Sequence, residues 1–161
     1  MPVLEKTARV LIVDDEDSVR DLLSDALTSF GYATVTAKNG EEALRLYKQQ
    51  RFDIVLSDLM MRPMGGMELL NAITKIDPEA IFIMITGYPS IEFAVEAIKT
   101  GARDFVSKPF NLDELKLKIE RALLERILKR RLKNVQGFVW ALLISIPFWL
   151  ILGIILAKIL K

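Results

Sequence analysis

The chain has 161 residues, 52% apolar and 27% charged, which suits one closed core and excludes a disordered or low-complexity polymer. It has neither cysteine nor histidine, so disulfide scaffolds, thiol chemistry, cysteine or histidine metal sites and histidine triads are excluded together. The net charge of +1 conceals an asymmetry: residues 1–110 carry 12 Lys+Arg against 17 Asp+Glu, residues 111–161 carry 10 against 4, and such a split points to a partner, membrane or nucleic-acid surface.

Residues 1–8 contain Glu5 and Lys6 and no apolar stretch, unlike a signal peptide. Arg9–Val13 is a short continuous apolar run, as expected of a strand buried on both faces. Val19, Leu22, Leu23, Ala26, Leu27 and Phe30 follow at helical spacing, and Gly31 ends that helix. Residues 32–37 form a second strand. Asn39 then caps a helix carrying Ala43, Leu44 and Tyr47, with Glu42 placed to reach back to the cap. The pattern continues with a strand over Phe52–Ser57, a helix over Gly66–Ile76 and a strand over Ile81–Ile85. A fourth helix over Ser90–Lys99 presents Ile91, Val95 and Ile98 and stops at Gly101. A fifth strand covers Asp104–Ser107. The last helix begins at Asn111, with Glu114 as its capping partner, and runs to about Lys133. Five strands alternating with five helices imply parallel strands joined by right-handed crossovers, a doubly wound α/β sheet.

Residues 137–157 contain no charge over 21 positions, and 13 of them are Leu, Ile, Val or Phe. At about 1.5 Å per residue this makes roughly 31 Å of helix, the thickness of a bilayer's hydrocarbon core. Pro147 is tolerable in such a span as a kink. A membrane-spanning helix is therefore expected. Six basic residues from Arg121 to Lys133 precede it and two follow, which keeps the N-terminal side cytoplasmic. The cluster Lys129, Arg130, Arg131 and Lys133 lacks interleaved aromatics, so lipid phosphates, not DNA, are its expected partners. The pairs Ala141/Ser145 and Gly153/Ala157 could support a homodimer in the membrane.

In an open parallel sheet, ligands bind beyond the carboxyl ends of the strands. The first strand exits into Asp14-Asp15, the third into Asp58, the fourth into Thr86 and the fifth into Lys108-Pro109. Three carboxylates, a hydroxyl and an ammonium thus meet at one edge. Crowded carboxylates call for a cation, and oxygen-only donors select a hard one, Mg²⁺ or Mn²⁺. A carboxylate can accept a phosphoryl group as an acyl phosphate while metal and ammonium neutralise the oxygens. Asp58, between the acidic pair and Lys108, takes the acceptor role.

The segments VLIVDDE, SDLMM and ITGYPSIEFAVEAIKTGARDFVSKPF and their separations make residues 8 to about 125 resemble the receiver domain of bacterial two-component response regulators, especially those of nitrogen-regulator type. The resemblance implies a five-stranded flavodoxin-like sheet of order 2-1-3-4-5. It implies that Asp58 is phosphorylated by a partner histidine kinase or phosphotransfer protein. It further implies that Asp14, Asp15, Asp58 and the Met60 backbone carbonyl hold Mg²⁺, with Thr86 and Lys108 contacting the phosphoryl group. Thr86 and Phe105 match the switch positions, and Lys108-Pro109 the family's cis peptide. Two departures stand out: Arg62 replaces the usual proline, with Pro63 one place later, and bulky Met60 and Tyr88 occupy the positions that tune water access. Slow loss of the phosphoryl group is expected.

The organisation expected is a receiver domain over 1–125, a basic helical linker over 126–136, a membrane span over 137–157 and a tail over 158–161. This describes a phosphoacceptor, not an enzyme, held at the bacterial inner membrane with its receiver in the cytoplasm. The alternative reading is a haloacid-dehalogenase-like phosphatase using Asp15 as nucleophile and Asp17 as acid/base. That reading lacks room for a substrate-selecting cap.

Overall fold

The computed structural model describes residues 7–87 and 90–159, the side chains of many positions beyond 129 excepted. The chain divides into two compact units, Met1–Leu123 and Leu124–Lys161.

In the first unit the order is β1 (Arg9–Val13), α1 (Asp17–Ser29), β2 (Ala33–Ala37), α2 (Gly40–Gln49), β3 (Ile54–Asp58), α3 (Gly66–Ile76), β4 (Ile81–Thr86), α4 (Ile91–Thr100) and β5 (Asp104–Ser107), followed by the start of α5 (Leu112–Ile159). The strands form one parallel sheet in the order β2-β1-β3-β4-β5, the order expected. Alternation along the strands divides the core into two layers. Leu11, Val13, Val55, Phe82 and Met84 pack with Ala43, Leu69, Leu70, Ile73 and Ala97 on one face. Val10, Ile12, Ile54, Leu56, Ile83 and Ile85 pack with Leu23, Leu27, Leu115 and Ile119 on the other. Strands β3 and β4 are buried along their whole length, which is why they read as unbroken apolar runs.

Local signals set the boundaries. Gly31 takes a positive φ of 89° just past α1, and Gly101 one of 113° at the end of α4. The Asn39 side chain accepts from the Glu42 N–H at 2.9 Å. Glu42 reaches back to the Lys38 N–H, one residue beyond the cap expected. Asn111 accepts from Asp113, not Glu114, at 2.8 Å.

Some expectations need correction. β3 begins at Ile54, because Phe52 packs as a loop residue before it, and it extends through Asp58. The apolar side expected of α4 is exposed, Ile91, Val95 and Ile98 at 80%, 44% and 49%, and Ala97 is the buried residue of that helix. Leu22 is also exposed, one position off the buried line of α1. Arg62-Pro63 is cis as well as Lys108-Pro109. α5 continues past Lys133 to Ile159.

The expected membrane-spanning helix is not supported: among the described residues, no helix is long and apolar enough to cross a membrane. Within 137–157 only Ala141, Ser145 and Ile155 have described side chains, so most side chains of the uncharged run lie outside what is described. Tyr88 lies outside them too.

Candidate functional site

Parallel pairing brings the carboxyl ends of β1, β3, β4 and β5 to one edge, and the sequence supplies polar residues as each strand ends. Asp14 follows β1 and is buried; its N–H donates to the Ala37 carbonyl at 3.2 Å, which extends the β1–β2 pairing by one residue. Asp58 closes β3 and is 7% exposed. Thr86 closes β4 and is fully buried. The Lys108 N–H donates to the Thr86 carbonyl at 2.7 Å, carrying the lysine past β5 toward the acids.

The side chains then converge. Lys108 Nζ donates to Asp14 Oδ2 at 2.6 Å and to Asp58 Oδ2 at 3.2 Å, and stands 3.8 Å from Glu16 Oε1. Burial pulls the lysine pKa down, but its hydrogen bond and charge interaction with Asp14, joined by Asp58, reverse this and leave it above its ordinary value. The ammonium is therefore fully charged at neutral pH. Asp58 Oδ1 accepts from the N–H groups of Leu59 at 2.6 Å and Met60 at 3.4 Å. Asp14 Oδ1 accepts from the Glu16 N–H at 3.0 Å.

Asp14, Asp15 and Asp58 each offer a carboxylate oxygen, and these oxygens lie within 4.8 Å of one another. Two of the three carboxylates are buried and the third is exposed, so a cation can enter from the side of Asp15. Oxygen donors at this spacing fit a small hard divalent ion. Met60 sits in the loop beyond Asp58, its residue 55% exposed. Phe105 is half-buried and packs on the layer that contains Phe82 and Met84; it is the β-register partner of Met84.

The structure thus assembles Asp14, Asp15, Asp58 and Lys108 as one cluster and places Thr86 at the adjacent strand end. Three contributors were not read from sequence. Glu16 joins the lysine's acidic surroundings. Arg20 donates to the Asp14 carbonyl at 2.5 Å. Phe93 lines, with Asp15, Met60, Arg62 and Met67, a cleft of about 490 Å³ that opens beside the cluster. Only the i,i+3 spacing of Asp17 and Arg20 hinted at a fixed arginine; Phe93 lies off the apolar stripe that drew attention on α4.

Known proteins fit this geometry. The family described as response regulator receiver domain matches residues 10–120. The regulatory protein AtoC of Escherichia coli (strain K12) is 42% identical over 128 residues, which are 80% of this chain and 28% of AtoC. NtrX from Brucella abortus superposes with a TM-score of 0.77 at 38% identity, covering 81% of this chain and 30% of NtrX. A CheY-like receiver domain protein from Methanospirillum hungatei JF-1 gives a TM-score of 0.75 at 33% identity, covering 77% of this chain and 99% of that one. The chain spans about a quarter of the length of AtoC and of the ZraR regulatory protein it also matches. With the sheet order, the acid cluster at its edge and the family match in agreement, the chain belongs to the response regulator receiver domain family, the phosphoacceptors of two-component signalling.

Proposed function

We infer that Asp58 accepts a phosphoryl group from a phosphohistidine on a separate kinase or phosphotransfer protein. This chain has no histidine, so the donor must come from outside it. In the transfer the donor's P–N bond breaks, a P–O bond forms at the Asp58 carboxylate, and the leaving imidazole takes up a proton. Asp14, Asp15 and Asp58, with the Met60 carbonyl, would hold Mg²⁺ or Mn²⁺, and a bound ion would neutralise charge on the phosphoryl oxygens. Lys108 would turn its ammonium from Asp58 to the new phosphoryl oxygens, and the Thr86 hydroxyl would donate to another. One observation carries this reading: a single ammonium bridges two buried carboxylates in a cluster of three.

The output follows from charge. Phosphorylation adds about −1.5 to −2 charges, enough to re-pair Lys108 and to draw Thr86. Phe105, two residues before the register partner of Thr86 on the neighbouring strand, would carry the change along β5 and to α4. The exposed Ile91, Val95 and Ile98 offer that face to another protein. The role is that of a switch rather than an enzyme, with slow self-dephosphorylation at most, in keeping with Met60 beside the acceptor. The uncharged run 137–157 and its basic flank further support attachment to the bacterial inner membrane, receiver in the cytoplasm.

Incubating the full chain with Mg²⁺ and a small acyl phosphate, then mapping the modified residue by mass spectrometry, tests the assignment. Label on Asp58, absent from Asp58→Asn, supports it. Label on Asp15 would favour the phosphatase alternative instead.

A further inference from the structure

We propose that Arg20 is a positioning residue for the divalent-cation site, an inference that rests on reading Asp14, Asp15 and Asp58 as the cation's ligands. Arg20 lies near the start of α1, and its side chain is 14% exposed. One guanidinium nitrogen donates to the backbone carbonyl of Asp14 at 2.5 Å, and another pairs with the Asp17 carboxylate one turn earlier. The Arg20 N–H donates to the Glu16 carbonyl at 3.1 Å, fixing the stem of the side chain. The carbonyl that Arg20 holds belongs to the peptide joining Asp14 to Asp15.

The three acids are not equally secured. Asp14 is tied by Ala37, Glu16 and Lys108, and Asp58 by Leu59, Met60 and Lys108. Asp15 is exposed, and among the described residues its carboxylate has no hydrogen bond or ion pair. Its aim therefore depends on the backbone that carries it. That backbone is oriented by the charge-assisted bond from Arg20, the kind of hydrogen bond that resists rotation most strongly. Arg20, on the peptide before Asp15, and the Glu16 N–H, on the peptide after it, together set the direction of the one acid whose own carboxylate has no partner among the described residues.

Positioning and simple electrostatics give opposite signs here. A guanidinium near a cation site repels the incoming ion, so removing it for charge alone would tighten binding. Removing a group that aims a ligand loosens binding, typically by about tenfold or more for a residue that orients a metal ligand. Isothermal titration of the full chain with Mg²⁺ separates the two. The expected result is about tenfold weaker affinity in Arg20→Ala and partial recovery in Arg20→Lys, whose ammonium still reaches the carbonyl. Phosphorylation by a small acyl phosphate should need more Mg²⁺ in Arg20→Ala but reach the wild-type maximum rate, which a merely damaged fold would not do. Unchanged or tighter Mg²⁺ binding in Arg20→Ala overturns the inference. If that variant does not fold, Arg20→Met, which fills the same space without a donor, carries the same test with the same outcomes. Absence of Mg²⁺ binding in the wild-type chain would instead overturn the reading of the acids, and this inference with it.

Discussion

Lys108 sits where a divalent cation and a phosphoryl group would each make demands on the same acids. Its ammonium is within hydrogen-bond distance of Asp14 and Asp58, so it competes with a metal for both. Lys108→Ala should therefore bind Mg²⁺ several-fold more tightly by calorimetry, while its phosphorylated form should lose the conformational response. The pH dependence has a definite sign. A lysine whose pKa rises on folding gives its full stabilisation below the unfolded value of about 10.4 and loses it as pH climbs through the folded value. Tyr32 acts in the same sense: burial, then the Glu120 charge, raise its pKa, so the folded state resists the phenolate that forms in the unfolded chain above about pH 10. Urea unfolding of the metal-free protein should show stability unaffected by these two groups through neutral pH and falling above about 10. Lys108→Met with Tyr32→Phe should flatten that fall.

Among the elements, α3 comes close against the end of β3 that carries Asp58. A Cβ on Gly66 would lie 2.2 Å from the Asp58 carbonyl oxygen and 2.8 Å from the Met84 sulfur. Gly66→Ala must push α3 off the end of β3, with an expected cost of about 1–3 kcal/mol or more in chemical denaturation and weaker Mg²⁺ binding alongside. Asn39→Ala removes a single cap bond at the start of α2 and should cost about 1 kcal/mol without touching Mg²⁺ affinity. Such local chemistry is readable from sequence because cap and helix are neighbours in the chain. The strand-end acids were readable for a similar reason: an apolar run marks a buried strand, and whatever follows it must exit at the edge. The inward side of α4 was not. Ile91, Val95 and Ile98 share one side at helical spacing, but periodicity shows that a helix has an apolar side, not that anything covers it. The inward residue is Ala97, off that stripe and small enough to let α4 lie close in; no hydrophobic pattern announces that. The reach of Arg20 and Lys108 was likewise hidden, since the ends of long side chains find their partners only once the sheet is assembled.

For the molecule as a whole, the proposed membrane attachment makes a separable prediction. The full chain should sediment with membranes and resist extraction by high salt or alkaline carbonate, and deleting residues 137–157 should release it. If salt alone releases the full chain, the basic flank and not the apolar run is what holds it. Receiver chemistry is expected to survive the deletion, because every residue of the acid cluster lies within Met1–Leu123. The modest inward anchoring of α4 reaches further. Ala97 is its one fully buried side chain among the described residues, so little of this helix is anchored in the core. A helix held that shallowly is expected to have alternative poses within a few kcal/mol, the range over which one new covalent charge can redistribute a population. The same shallowness predicts early exchange of the α4 amide protons with solvent. Responsiveness and fragility then share one address, and stiffening that helix should silence the signal before it alters the chemistry.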